Sequence, residues 1–124
     1  MTDPSERSPQ DVFDEHLRLS QEHGFEEDIR RNFAEDCIVL TDRGVFRGHD
    51  GLKELAAMLE DELPGAEYEY RTRLVEGNMA FLGWAAHCET ARVDDGADSF
   101  WIEGGKVVAQ TIHYTVKANG DASK

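Results

Sequence analysis

The second half of the chain alternates between the two faces of a strand and is broken repeatedly by glycine, and this pattern limits the fold more than any other feature. In residues 67–76, tyrosine, threonine and leucine occupy the even positions 68 to 74, and charged residues occupy the odd positions 67 to 73. Turns are predicted at 77–78, 94–96 and 104–105, with further strands at 79–93, 97–103 and 106–117. The pattern predicts a meander of four antiparallel strands.

Three helices and a short hairpin are predicted before these strands. Ser8 and Pro9 have the residue types of a helix N-cap and first helical position, and this helix is expected to end at Gly24. Apolar residues spaced by four predict a second helix over 25–33, and an apolar stripe predicts a third over 48–63. The hairpin lies between them, at 37–41 and 45–47. Helices segregated from strands predict an α+β fold, with the helices covering one face of a curved antiparallel sheet.

Length and charge narrow the class of protein. The chain of 124 residues is expected to form one domain over residues 8–117, with flexible tails at 1–7 and 118–124. Its net charge of −13 argues against nucleic acid as a partner. The apolar runs are shorter than a membrane span, and the polar N-terminus lacks a secretory pattern, so a cytoplasmic protein with no membrane partner is expected.

Three segments resemble a known superfamily. They are FAEDC at 33–37, GVFRG at 44–48 followed by Leu52, and DSFWIEGGKV at 98–107. In this order they are similar to the nuclear transport factor two-like superfamily, and within it to SnoaL-type polyketide cyclases, ketosteroid isomerases and many bacterial proteins of uncharacterised function. The resemblance spans residues 10–117. It implies a cone-shaped roll of three N-terminal helices on a curved, mainly antiparallel sheet, a pocket on the concave face, and a homodimer.

The resemblance to ketosteroid isomerases extends to some site residues only. Asp98 falls where those enzymes keep an aspartic acid that donates to the substrate oxyanion. Their catalytic base falls at Thr41, or at Asp42 with a one-residue shift, and the tyrosine of their oxyanion hole falls at Leu17. One essential hydroxyl is thus missing, which argues against steroid isomerase activity.

The final hairpin indicates a candidate acid–base pair. If Gly104 and Gly105 form a two-residue loop, Asp98 pairs with Thr111, and Asp98 and His113 become diagonal neighbours on one face. A carboxyl and an imidazole in an apolar cavity can serve as acid and base. The alternative is that both side chains are simply hydrogen-bonded parts of the structure.

Several aromatic residues are candidates for binding a small apolar ligand. Trp84, Tyr70 and Phe100 are expected to form cavity walls, with Leu17 and Thr41 added from the resemblance, although aromatic residues in strands are also common in cores. His16 on the first helix is a weaker candidate. No metal or cofactor motif is found.

Two classes of function follow from these observations. One is a cofactor-free lyase, isomerase or cyclase acting on a small apolar carbonyl or hydroxyl compound, with Asp98 and His113 as acid and base. The other is a non-catalytic ligand-binding or protein-interaction domain of the same fold. An apolar stripe expected on the outer face of the sheet favours a homodimer; its members are Trp101, Val108, Ile112 and Tyr114. The identity of the ligand stays open.

Overall fold

A computed structural model describes residues 4–119 and has the predicted order of elements. A short 3-10 turn, Pro4–Glu6, precedes the first helix. The helices are α1 (Pro9–Gln21), α2 (Phe25–Asn32) and α3 (Gly48–Glu62). The strands are β1 (Phe33–Thr41), β2 (Gly44–Arg47), β3 (Glu67–Glu76), β4 (Met79–His87), β5 (Ala91–Glu103), β6 (Lys106–His113) and β7 (Lys117–Ala118).

The strands form one curved, unclosed sheet in the order β2-β1-β6-β5-β4-β3, and β7 pairs with β5. Only the contact between β1 and β6 is parallel among the pairs described; the others are antiparallel. The three helices cover one face, and the core lies between them and this inner face. The α+β prediction, with three N-terminal helices on a mainly antiparallel sheet, is confirmed.

The first helix begins where its capping residues predict. Ser8 Oγ accepts a hydrogen bond of 3.1 Å from the backbone N–H of Asp11, and Pro9 occupies the first helical position, where a missing N–H costs nothing. Val12, Phe13 and Leu17 are buried along one side of the helix. This side faces the sheet, so α1 is fixed in register above the strands that carry the site.

The turn predicted at 94–96 is wrong. Strand β4 ends at His87 and the chain reverses through residues 88–90, where Cys88 N–H donates to the carbonyl of Ala91. Gly96 lies inside β5, opposite Trp84. A Cβ atom at Gly96 would lie 2.2 Å from the indole carbon Cδ2 of Trp84. This glycine therefore allows a large side chain to pack directly on the backbone of the next strand.

A β-bulge changes the register of the final hairpin. The pairs Glu103–Lys106 and Ile102–Val107 form as expected, but Trp101 then pairs with Ala109. The extra residue, Val108, shifts the later pairs by one position, so that Asp98 lies opposite Ile112 rather than Thr111. Because neighbouring residues of a strand face opposite sides, the shift exchanges the two faces of β6 beyond the bulge.

The outer face of the sheet is apolar, but its composition differs from the predicted stripe. Ile112 and Tyr114 are buried in the core, which corrects their assignment to the outer face, whereas Trp101 is 41% exposed. Large apolar side chains are exposed on four further strands of the sheet; they are Ile38, Leu40, Val45, Leu74, Met79 and Phe81.

Parts of the predicted flexible tails have defined structure. Residues 4–6 form the 3-10 turn, and the Arg7 guanidinium donates to the carbonyls of Arg31 and Gly105. Ala118 pairs with Ala91 in the sheet. The rest of the predicted tails, residues 1–3 and 120–124, lies outside the described residues. Within residues 4–119, no helix has the length and apolar character needed to cross a membrane.

Candidate functional site

A cavity of about 590 Å³ lies between the helices and the inner face of the sheet. Most of its wall is apolar, and α3, the connection after it and the sheet contribute Leu52, Leu55, Ala56, Leu59, Ala66 and Ile112. The polar groups Asp98, Gln110, His16 and Asp28 also line it. A cavity of this size and composition is typical of a site for a small organic molecule.

Asp98 is a buried carboxyl in the sheet wall of this cavity. Strand β5 points it inward, in line with Phe100 and Ile102, and it is 8% exposed. Trp84 Nε1–H donates to its Oδ1 at 2.9 Å, and Gln110 Nε2–H donates to its Oδ2 at 3.3 Å. Burial raises the pKa of Asp98 to about 6, although these two hydrogen bonds and the nearby His16 oppose the shift. The carboxyl therefore exchanges its proton close to neutral pH.

His16 enters the cavity from α1. Its ring makes edge contacts with Phe33 and Phe100, each with ring centroids 5.3 Å apart. Its Nδ1 lies 2.7 Å from Oδ2 of Asp28 on α2. Burial opposes a positive charge on the ring, but the charge and hydrogen bond of Asp28 and the charge of Asp98 outweigh it and raise the pKa of His16. The imidazole is thus hydrogen-bonded to one carboxyl and subject to the charge of a second on a different element.

The predicted pairing of Asp98 with His113 is wrong. His113 lies beyond the bulge at Val108 and therefore projects from the outer face, where its side chain is 61% exposed. Its Nε2 lies 3.4 Å from Oδ2 of Asp95. The imidazoles of His16 and His23 line the cavity with Asp98, and His16 is the one whose pKa the charge of Asp98 raises.

A comparison of the sequence with known protein families identifies the family of this chain. Residues 13–110 match the SnoaL-like domain. The chain belongs to the SnoaL-like family. No protein of curated function matches it.

Solved structures similar to this SnoaL-like protein share its fold at low sequence identity. A putative polyketide cyclase from Sinorhizobium meliloti has a TM-score of 0.68 and 15% identity, with 82% of this chain and 93% of that chain covered. A putative ketosteroid isomerase from Kribbella flavida has a TM-score of 0.71 and 15% identity, with coverage of 86% and 77%. A nuclear transport factor two-like protein of unknown function from Burkholderia xenovorans has a TM-score of 0.71 and 18% identity, with coverage of 93% and 90%.

The predicted ligand-binding residues of this SnoaL-like domain lie in different places. Tyr70 and Trp84 line the cavity. Phe100 is buried against His16 and Phe13, so it supports the imidazole. Leu17 is buried in the core of the fold. Thr41 lies at the end of β1, where its hydroxyl accepts a hydrogen bond of 2.9 Å from the backbone N–H of Arg43.

Three polar residues around His16 and Asp98 were absent from the sequence predictions: Asp28, Asn32 and Gln110. Asp28 and Asn32 are both buried on α2 and are four residues apart, beside the apolar residues Ile29 and Phe33. Their helical spacing next to an apolar face is the sequence signal that could have identified these two residues. Gln110 had no such signal, because its inward direction depends on the bulge at Val108.

The arrangement is suited to proton transfer. His16 Nδ1 is bonded to Asp28, which leaves Nε2 as the nitrogen for a ligand, and Asp98 supplies a carboxyl in the same cavity. Burial raises the pKa of Tyr68 and of Tyr70 to about 12, so both phenols keep their protons and remain donors. Among residues 4–119, no cluster of three or more histidine, cysteine or acidic side chains could hold a metal ion.

Proposed function

We propose that this SnoaL-like protein is a cofactor-free acid–base enzyme, a lyase, isomerase or cyclase, acting on a small apolar carbonyl or hydroxyl compound. The observation that carries the proposal is that Asp98 and His16 lie in one largely apolar cavity, each held by its own hydrogen-bond partner. Two titratable groups on different elements of one pocket are typical of acid–base sites.

The positions of the hydrogen bonds favour different roles for His16 and Asp98. Protonated His16 donates from Nε2 to a substrate carbonyl oxygen, because its Nδ1 is occupied by Asp28. The Asp98 carboxylate takes a proton from the adjacent carbon, since its pKa of about 6 leaves it ionised and basic near neutral pH. The developing negative charge on the oxygen is stabilised by the imidazolium.

The charge of the cavity favours a neutral substrate. When Asp28, Asp98 and His16 are all ionised, two negative charges face one positive charge, and the other charged residues of the lining, Lys53 and Glu60, carry opposite charges. A substrate carboxylate or phosphate at this end of the cavity would be repelled. The apolar wall and the volume of about 590 Å³ fit a small, mostly hydrocarbon ring compound. The similar structures named as a polyketide cyclase and a ketosteroid isomerase support this class through their fold alone.

Hydrogen–deuterium exchange tests the proposal without a known substrate. Neutral cyclic ketones and 1,3-diketones are incubated with the protein in D₂O, and loss of the proton next to the carbonyl is followed by nuclear magnetic resonance. We expect the wild type to accelerate exchange of at least one compound, and Asp98→Asn and His16→Gln to reduce the rate at least about 100-fold. The matched control is His113→Gln, which removes an exposed histidine and should retain the wild-type rate.

Two outcomes would contradict the enzyme proposal. One is equal exchange rates for wild type and Asp98→Asn. The other is a compound that binds the cavity but does not exchange or react, with the same affinity for wild type and Asp98→Asn. The second result would identify a non-catalytic ligand-binding domain.

We also propose that the outer face of the sheet pairs with a second copy of the chain. One row across the sheet has an apolar centre and opposite charges at its ends; in order it is Arg47, Ile38, Ala109, Trp101, Met79 and Glu76. A two-fold axis along the strands places Arg47 of one copy over Glu76 of the partner subunit while the apolar centres meet. This complementarity of the face with itself favours a homodimer over an unrelated partner.

A further inference from the structure

A buried chain of hydrogen bonds leads from the N-terminal segment to His16. Arg7 Nη1 donates to Asn32 Oδ1 at 3.0 Å, and Asn32 Nδ2 donates to Asp28 Oδ1 at 2.8 Å. Asp28 Oδ2 then lies 2.7 Å from His16 Nδ1. Asn32 is fully buried and Asp28 is 3% exposed, so solvent does not compete for these bonds.

The guanidinium of Arg7 sets the donor and acceptor direction of the whole chain of hydrogen bonds. A guanidinium can only donate, so Arg7 requires the oxygen of the Asn32 amide to face it, and the amide nitrogen must then face Asp28. Asp28, as a carboxylate, accepts from Asn32 on one oxygen and from His16 on the other. The proton of a neutral His16 is therefore fixed on Nδ1, which leaves Nε2 as an acceptor in the cavity.

Arg7 also connects this chain to other elements of the fold. Its Nη2 donates to the carbonyls of Arg31, at the end of α2, and Gly105, in the turn between β5 and β6. Its Nη1 also donates to Glu15 on α1 at 3.2 Å. Four acceptors, two on α2, one on α1 and one in the turn between β5 and β6, hold the guanidinium in one position, so the amide of Asn32 has one orientation only.

We propose that Asp28, Asn32 and Arg7 are positioning residues that set the tautomer and charge of His16. The inference rests on the proposed function for its consequence, because the tautomer and charge of His16 decide whether its Nε2 donates to a substrate or accepts from it. This relay, the chain of hydrogen bonds from Arg7 through Asn32 and Asp28 to His16, is independent of any substrate. The charged groups that face His16 are Asp28 from α2 and Asp98 from β5.

The wild-type protein provides the first test. Nitrogen-15 nuclear magnetic resonance distinguishes the two tautomers of neutral histidine, and His16→Gln identifies the His16 signals among those of the five histidines. Above the pKa of His16, we expect the proton on Nδ1. A proton on Nε2 would overturn the proposal.

Substitution of the carboxylate tests the direction of the relay. In Asp28→Asn, Arg7 and Asn32 keep their orientation, so the new amide oxygen faces Asn32 and the new amide nitrogen faces His16. We expect the His16 proton to move to Nε2 and the His16 pKa to fall by about 1 to 3 pH units, because the neighbouring anion is lost and replaced by a donor. A proton that stays on Nδ1 would contradict the relay.

A double substitution then isolates the part of Arg7. Arg7→Met alone should leave the proton on Nδ1, because a carboxylate at position 28 still only accepts. Combined with Asp28→Asn, it frees the Asn32 amide to rotate, so that both amides turn over and the proton returns at least partly to Nδ1. Arg7→Lys, which keeps a donor toward Asn32, should not restore it. If Asp28→Asn and the double variant have the same His16 tautomer, Arg7 has no part in the relay.

The tautomer measurements use no substrate, so they succeed or fail separately from the enzyme proposal. Melting curves of each variant by circular dichroism show whether the fold is intact. If turnover is found, Asp28→Asn should lower kcat by about 100-fold or more with little change in KM, because it lowers the pKa of His16 and removes the imidazolium charge that stabilises the substrate oxygen, while the cavity is unchanged. A change in KM alone would show that Asp28 only shapes the pocket.

Discussion

Replacement of Gly96 by alanine should disturb the fold and the site together. Gly96 lies in β5 opposite Trp84, and an added Cβ would lie between 2.2 and 2.7 Å from three atoms of the indole. Contacts between carbon atoms in proteins are normally near 3.5–4.0 Å. Trp84 is 5% exposed and packs against Tyr68 and Tyr114, so its indole can yield only toward the cavity that it also lines.

The size of the effect follows from two contributions. Overpacking of a filled core costs about 1–3 kcal/mol. If the indole shifts, its hydrogen bond of 2.9 Å to Asp98 is also lost, and a bond to a charged group contributes about 1.5–3 kcal/mol. We therefore expect Gly96→Ala to lower the free energy of unfolding by about 3–5 kcal/mol. The pKa of Asp98 should rise further, since the bond from Trp84 favours its ionised form.

Urea unfolding followed by tryptophan fluorescence measures this loss, and carbon-13 titration of the Asp98 carboxyl measures the pKa. The matched control is Gly83→Ala, in the neighbouring strand β4. Its added Cβ would lie 3.2 Å from the Thr72 side chain, a contact that small movements relieve. If Gly96→Ala unfolds within about 0.5 kcal/mol of the wild type, the close packing of Trp84 on β5 does not constrain the site.

Three further predictions concern pH, assembly and salt. Burial raises the pKa of Asp98 from 3.8 to about 6, so its ionisation opposes folding as pH rises through that range. Asp98→Asn should therefore gain about 2 kcal/mol of unfolding free energy relative to wild type between pH 4 and pH 7; urea midpoints that keep a constant difference would contradict this. Trp101→Glu should convert a micromolar dimer to monomer in sedimentation experiments, and a monomeric wild type would refute the proposed interface. With a net charge of −13, the melting temperature should rise between ~10 mM and ~0.5 M sodium chloride, and a flat or falling curve would count against self-repulsion.

Elements that depend on local signals were predictable from the sequence. The start of α1 depends on Ser8 and Pro9, and the last hairpin turn depends on Gly104 and Gly105, both with positive φ. Each signal acts within a few residues of itself. The order of helices and strands therefore followed from the chain alone, and so did the α+β class.

The sequence alone could not distinguish a glycine inside a strand from a glycine in a turn. A glycine after two aspartates is a common turn signal, but it is equally the residue needed where a neighbouring side chain packs on the backbone. Only the position of Trp84 on the adjacent strand distinguishes these uses of Gly96. The two aspartates belong to β5 as well, and Asp95 accepts hydrogen bonds from Thr115.

The bulge at Val108 explains why Asp98 was placed correctly in the cavity and His113 was not. Asp98 lies on β5, and its own alternation with Phe100 and Ile102 sets its direction. His113 lies on β6 beyond the bulge, and one extra residue moves every later side chain to the opposite face. A prediction of which side chains share a face of a strand therefore holds only as far as the first irregularity in the pairing of that strand.

The partner of Asp98 comes from a helix, which explains why strand patterns could not identify it. His16 reaches the cavity because α1 packs on the sheet, and it keeps a charge there because α2 brings Asp28 to its Nδ1. A histidine with a purely structural role would be expected to have both ring nitrogens bonded within the protein. Here one nitrogen is fixed by a relay and the other is directed to a cavity that also contains Asp98. This asymmetry favours proton transfer over a structural role, and the hydrogen–deuterium exchange rates of the wild type and His16→Gln test it directly.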